Sequence, residues 1–460
     1  MFLASQEVTH SRKGKTLQMP LSRMNQMDSR LPTWVQKWVF GKTAHRAYLS
    51  LFDQGVISLA NFGAALYLAR MVSPTEFGIY AVGFSLLRFV RAVQEGVIVQ
   101  PVNTFGASMD KDVFRRYLTS TLLLQLGFTA LVSLGALLFG YLLTAWGNDT
   151  AGPTLFNLWI VFFTWPLGEF LRRAFYTRGD VHLAAGFSTV SNIARFAFLI
   201  FWAGQGTLTG SAGMNAIGLG AVVGLLFGVW GARRYFTFEL DWGEVKNTWL
   251  ENWQFGKWML GALLANFVSL EVYPLVVAGM ISFAATGAYR ALENLVAAVH
   301  VILRAMDTFI TPYTARAYDS SGSKHLYRIV RRAYLLGGIP IIAILIAAVT
   351  FTEPVLKLLY NETYLDTQSG IIWLSLFYLL WYAYWPVQSA LKAIKRSRPV
   401  FTANLAAIVC MFTLGLAAIR LWGLNGAFIG QALNALIANV VLWRAWLQVK
   451  RQEPSELASV

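Results

Sequence analysis

Charged side chains recur inside stretches of this sequence that are otherwise apolar, and their spacing is regular. Arg88, Arg91 and Glu95 stand in one such stretch; Arg290, Glu293, His300, Arg304 and Asp307 stand in another. Intervals of three and four residues put each set on one face of a helix. If those helices cross a bilayer, each ionisable group costs about 2.5 kcal/mol or more unless it meets a partner or a wet cavity. Two kinds of chemistry satisfy that demand. The charges can pin helices together as internal ion pairs. Alternatively they line a hydrophilic cavity with a positive middle, in which Arg88, Arg91, His300 and Arg304 occupy the central and inner parts. Guanidinium groups pair bidentately with phosphate oxygens and keep their charge when desolvated, so the matching ligand is a phosphate or diphosphate. Asn61 and Asn266 complete the candidate substrate-binding set, and Asp53, Glu95, Glu271, Arg290, Glu293 and Asp307 are candidates for gating or coupling. Arg195, alone in its stretch, fits a helix-pinning role as well as a cavity role.

The elements that carry these residues follow from composition. Of 460 residues, 56% are hydrophobic and 13% are charged, against about 25% charged in an ordinary soluble protein. About 20 apolar residues cross a bilayer. Twelve stretches meet that description: 47–71, 77–99, 119–145, 154–174, 183–203, 211–231, 257–281, 286–311, 333–352, 370–391, 400–419 and 425–446. The expected fold is all-α and integral to the membrane. The single cysteine, Cys410, excludes an intrachain disulfide framework and a Cys-rich metal site.

Orientation comes from the loops. With the amino terminus inside, and with residues at the ends of a stretch counted with the adjoining loop, the inside segments hold thirty of the 38 Lys and Arg, and the outside segments hold three, Arg70, Lys357 and Arg420. That is the positive-inside rule, and both termini are expected to be cytoplasmic. The net charge of +15 therefore marks orientation, and nucleic acid is not an expected partner. Residues 1–46 contain no apolar core of a cleavable signal. Trp34, Val35, Trp38 and Val39, beside Lys37 and Lys42, fit either a short helix on the inner membrane face or a disordered tail.

The two halves repeat each other. Leu59-Ala60-Asn61-Phe62 recurs as Leu264-Ala265-Asn266-Phe267, and Met71-Val72-Ser73 with Gly78 and Tyr80 recurs as Met280-Ile281-Ser282 with Gly287 and Tyr289. Trp165-Pro166 recurs as Trp385-Pro386. The expected organisation is a basic tail (1–46), a six-helix lobe (47–231), a cytoplasmic linker (232–256), a second six-helix lobe (257–447) and a short tail (448–460). Parallel repeats of this kind are related by an axis along the membrane normal, and in repeat-built transporters the site lies at the repeat interface near the midplane. In this register Arg91 aligns with His300 and Glu95 with Arg304. At 1.5 Å per residue, Asp53, Glu95, Arg304 and Asp307 share a depth near the inner end, where a carboxylate of one lobe and Arg304 of the other would form a latch. Pro166, Pro274 and Pro386 mark expected kinks.

The parallel sixes, the Asn in the first helix, the turn Met71-Val72-Ser73-Pro74-Thr75-Glu76-Phe77-Gly78-Ile79-Tyr80 and the basic loop from Arg172-Arg173 to Arg178-Gly179-Asp180 resemble the polysaccharide exporters of the MOP superfamily, the Wzx-type flippases. The resemblance covers about residues 45–447. It implies a V-shaped pair of lobes in a bacterial inner membrane, and a lipid-diphosphate-linked oligosaccharide moved from the cytoplasmic to the periplasmic leaflet by alternating access. Membrane lipids and a polysaccharide polymerase or export proteins are the implied partners. No cofactor is implied, and H+ and Na+ stay open as coupling ions. A cation antiporter of the same superfamily would favour an acidic cavity. A membrane-embedded glycan polymerase would need a large catalytic loop, and the longest outside loop, 351–369, is short. No nucleophile–base spacing or phosphate-binding glycine loop stands out, so no enzyme is expected.

Overall fold

The computed structural model describes residues 42–237, 241–394, 396 and 398–456. The interfacial helix expected around Trp34–Val39 lies outside them. All regular structure among the described residues is helical, and no strand occurs there. The chain divides into two units, Met1–Phe52 and Asp53–Val460. Of the first, the description covers only the opening turns of α1 (Lys42–Met71).

The second unit continues with α2 (Pro74–Gln94), a π turn at Glu95–Val99, α3 (Gln100–Phe105), α4 (Lys111–Ala145), α5 (Ala151–Asn157), α6 (Trp159–Thr177), α7 (Val181–Gly204) and α8 (Gly210–Ala232). The later half holds α9 (Trp242–Leu270), α10 (Tyr273–Met280), α11 (Phe283–Leu295), α12 (Ala297–Thr350), α13 (Thr352–Tyr360), α14 (Gly370–Ala393), α15 (Arg398–Cys410) and α16 (Leu416–Glu456). Among the described residues seven helices are long and apolar enough to cross a membrane, or nine when two bent pairs each count as one span. Three features separate that count from the twelve expected stretches. Arg88 and Arg91 dilute the apolar character of α2. Helix α11 has only 13 residues before its break at Val296. The path Arg398–Val449 counts once although it reverses at Gly423 (φ 56°, ψ −130°), a conformation open to glycine. Beyond that reversal a Cβ on Gly426 would lie 1.9 Å from the Ala418 carbonyl oxygen, so the two arms run against each other. The expected loop between stretches eight and nine is also different, because α12 is helical throughout.

Glycines set the closest approaches between the halves. Gly78 and Gly287 are equivalent in the repeat, and they meet. A Cβ on Gly78 would lie 1.7 Å from the Phe283 carbonyl oxygen, and one on Gly287 would lie 2.5 Å from that of Pro74. The starts of α2 and α11 therefore cross in backbone contact. At the other end of α2, a Cβ on Gly96 would lie 2.8 Å from Leu260 Cα, and one on Gly256 would lie 2.6 Å from the Gly96 carbonyl oxygen. The π turn and α9 are in contact there. One apolar core joins the halves around Leu68, Phe77, Tyr80, Tyr289 and Phe428. Smaller cores form around Phe114 and Phe175 in the first half and around Val387 and Trp446 in the second.

The expected proline kinks are only partly where the bends occur. Pro166 and Pro386 sit inside continuous helices. Two apolar helix pairs are bent among the described residues, by 40° between α5 and α6 and by 49° between α9 and α10. Pro274 follows the second bend in the first turn of α10, where its missing N–H leaves no helical bond unmade.

Candidate functional site

Helices α1, α2, α6, α7 and α8, with one residue from α11, enclose a cavity of about 270 Å³. Its character is set by six arginines: Arg88, Arg91, Arg172, Arg173, Arg195 and Arg290. Local sequence explains how the walls are held. Ser73, in extended conformation, caps α2 by accepting from the Glu76 amide at 3.3 Å, and Pro74 occupies the first turn. Glu76 in turn accepts from the Gly210 amide at 2.6 Å, a carboxylate at the positive end of α8. These contacts fix the start of α2, and the helix then carries Phe84, Arg88 and Arg91 along the cavity.

Most of the arginines are already engaged. Arg172 donates to Asp53 at 2.7 Å and to both oxygens of Glu169 at 2.7 and 2.9 Å, and Arg173 donates to Glu169 at 2.9 Å. Tyr176 donates to the same Asp53 oxygen at 2.5 Å. Asp53 is fully buried and the Arg172 side chain is 5% exposed, so each charge depends on the others for compensation. Between the halves, Arg88 pairs with Glu271, the residue that caps α9 at the 49° bend. Arg290 pairs with Glu293 at 2.5 Å. Phe84 receives both guanidinium groups on its ring, Arg88 at 5.1 Å and Arg290 at 5.3 Å, a cation–π arrangement.

Two arginines are different. Arg91 has no carboxylate within ion-pair distance among the described residues. Arg195 is 3% exposed and bonds only neutral groups, Asn61 Oδ1 at 2.9 Å and the Tyr80 hydroxyl at 2.8 Å. Its Nε has no partner. Six lining guanidinium groups thus face four carboxylates, Asp53, Glu169, Glu271 and Glu293. Two positive charges are left over, and the cavity can take an anion.

The residues expected from sequence are distributed unevenly. Arg88, Arg91 and Asn61 line the cavity. So does Arg290, which was expected at a gate. Asn266 is exposed on α9 and is not a lining residue. His300 sits instead in an aromatic setting, its Nε2 2.5 Å from the Tyr378 hydroxyl and its ring edge-on to Trp381. Arg304 and Asp307 lie on α12, with side chains outside the described residues. Asp53, expected to face Arg304, is held by Arg172 and Tyr176 of its own half. Glu95, at the start of the π turn, accepts from Gln100 of α3 at 2.8 Å, and its other oxygen has no partner among the described residues. The cavity is built mainly from the first half, with Arg290 as the contribution of the second.

Sequence reasoning missed Glu169, Arg172, Arg173 and the certain placement of Arg195. The signal was present: Glu169 stands three and four residues before Arg172 and Arg173, a spacing that pairs charges on a helix. Counting those arginines as loop charges concealed it. Among the described residues no group of three or more His, Cys, Asp or Glu is placed to hold a metal ion.

Comparison with known proteins agrees with this architecture. Residues 47–318 match the family model described as polysaccharide biosynthesis protein. No curated protein matches significantly in sequence. Among solved structures, the chain is similar to a multidrug-resistance MATE transporter of the MOP superfamily in an inward-facing conformation (TM-score 0.69, 14% identity, covering 86% of this chain and 95% of that one). It is also similar to the lipid II flippase MurJ in an inward closed conformation (TM-score 0.64, 13% identity, 87% of each chain). A third is a MOP superfamily transporter from Pyrococcus furiosus with a binding pocket of reverse polarity (TM-score 0.59, 14% identity, 92% of this chain and 98% of that one). At these identities the likeness is one of fold. With more than half its length matched by the family model and with apolar helices long enough to cross a membrane several times, the chain belongs to the polysaccharide biosynthesis protein family of multi-pass membrane proteins.

Proposed function

We propose that this protein is a flippase that moves a polyprenyl-diphosphate-linked oligosaccharide from the cytoplasmic to the periplasmic leaflet of a bacterial inner membrane, with both termini cytoplasmic. The observation that carries the reading is the pair of arginines, Arg91 and Arg195, that face one cavity without a carboxylate partner among the described residues. A diphosphate joining a lipid to a sugar carries about two negative charges, which matches the excess and suits guanidinium geometry. The cavity's volume, about 270 Å³, is close to the lower bound for small-ligand sites of about 300 Å³. It suits the head group rather than the whole glycan, which would extend beyond it while the lipid tail stays in the bilayer.

On this reading the two six-helix lobes alternate, and the charges between them are the parts that must rearrange. Glu271 and Glu293 hold Arg88 and Arg290 until an anion arrives. Arg304 and Asp307 remain candidates at the inner end, and H+ or Na+ would supply the coupling. A polymerase or export protein would take the glycan after release. A cation exporter of the same fold is disfavoured, because a cation would meet six arginines.

The test is export of surface glycan by cells that lack the chromosomal copy. Arg91→Ala and Arg195→Ala should abolish export at normal protein level, and Lys at either position should restore it only in part. Purified protein should bind inorganic pyrophosphate, and each Ala variant should bind it more weakly. Full export by both variants would overturn the phosphate reading.

A further inference from the structure

Helix α9 is longer than a crossing needs. Its 29 residues extend about 43 Å at 1.5 Å per residue, whereas the hydrocarbon core is about 30 Å thick. Beyond the bend the path continues through α10. The first half of α9 therefore has no place in the core, yet its open face carries three tryptophans beside Lys246. Trp242 is 71% exposed, and Trp249 and Trp253 are each 40% exposed. At 3.6 residues per turn the three indoles fall within about 40° of one another around the helix. The rings of Trp249 and Trp253 stack at 5.7 Å.

The neighbouring face is occupied. Val245, Thr248 and Asn252 are buried, and Asn252 accepts from the Tyr117 hydroxyl at 2.9 Å. Phe255 packs edge-on against Phe105 at 5.3 Å. Indoles are favoured at the headgroup level, where an apolar ring and a polar N–H are both satisfied. Glu244, Lys246 and Glu251 leave residues 242–255 with a net charge of −1, so apolar insertion rather than attraction to anionic lipid would hold the segment.

We infer that residues 242–255, which hydropathy assigns to a cytoplasmic linker, form an interfacial helix seated in the headgroup layer, with Trp242, Trp249 and Trp253 in contact with lipid. The inference requires that the protein spans a membrane, but not that it transports a phosphate. It also gives α2 an anchor: the Gly96 turn rests on Gly256 and Leu260 of a helix held at fixed depth.

The experiment places a single cysteine at 249 or 253 in a Cys410→Ala background, labels it with an environment-sensitive fluorophore and puts the full chain into phosphatidylcholine nanodiscs. Three quenchers are compared: lipid with a nitroxide just below the headgroup, lipid with a nitroxide near the chain end, and aqueous iodide. Strongest quenching by the shallow nitroxide, a loss of most iodide quenching relative to a label at position 366, and no change on adding phosphatidylglycerol are the expected results. Iodide quenching equal to that at 366, with no nitroxide effect, would place the face in water and overturn the inference. Protection from both classes of quencher would mean that protein covers the face, which overturns it equally. If the label at 253 prevents accumulation, Trp242→Cys carries the same test.

Discussion

A methyl group added at Gly78 is the sharpest probe of how the two halves meet. The ideal Cβ of Gly78→Ala falls 1.7 Å from the Phe283 carbonyl oxygen, whereas ordinary contact begins at 3.4 Å. The starts of α2 and α11 must then separate by about 1.7 Å, since the obstacle is backbone and has no rotamer to change. Overpacking of this kind costs about 1–3 kcal/mol. If the crossing opens in the opposite transport state, the cost falls on the closed state alone and shifts the balance by about 5- to 150-fold. The readout is the labelling rate of a cysteine at Tyr364, which is buried and packs against Phe77 at a ring distance of 6.3 Å beside the crossing. In a Cys410→Ala background an impermeant maleimide should label the Gly78→Ala protein faster than its parent. Gly287→Ala, whose Cβ would lie 2.5 Å from the Pro74 oxygen, should act in the same direction and more weakly. An unchanged labelling rate with normal accumulation would refute the view that this crossing is a closed contact of one state.

Three other outcomes are expected. Asp53→Asn leaves Arg172, 5% exposed, with Glu169 alone; it should cost about 3 kcal/mol, seen as a lowered midpoint of thermal unfolding in detergent. Arg173→Gln should cost less, about 1 kcal/mol or under, because that side chain is 25% exposed and water screens it. For topology, a cysteine at position 366 should react with an impermeant reagent in intact cells and one at 392 should not; reaction at 392 would reverse the assigned orientation.

The legible parts of this molecule were those with a strong period or a repeated word. The reciprocal pair Gly78 and Gly287 could be aligned from Met71-Val72-Ser73 and Met280-Ile281-Ser282 alone, and both prove to be crossing points. Arg88 and Arg91 announced the cavity because arginine is so costly in hydrocarbon. Partner choice was not legible. Glu271 and Arg88 are far apart in sequence and come together through tertiary packing, and Asp53 meets Arg172 across its own half in the same way. Periodicity gives the face of a helix but not which helix faces it. The reversal at Gly423 was placed by a gap in apolarity, while its cause, a positive φ, is a backbone property no composition reveals.

On the proposed function, the Arg88–Glu271 pair makes the cavity an ion exchanger. An incoming anion does not find Arg88 vacant; it must displace a carboxylate tethered beside it, and tethering gives that carboxylate a high effective concentration. Small monoanions at cellular levels compete poorly against such a resident, whereas a dianion brings more charge to the same guanidinium and to Arg91 nearby. Selectivity then arises from the difference between two anions rather than from the fit of one. The displaced Glu271 would lie at the junction of α9 and α10, where its side chain is already 32% exposed, so water is at hand to hydrate it.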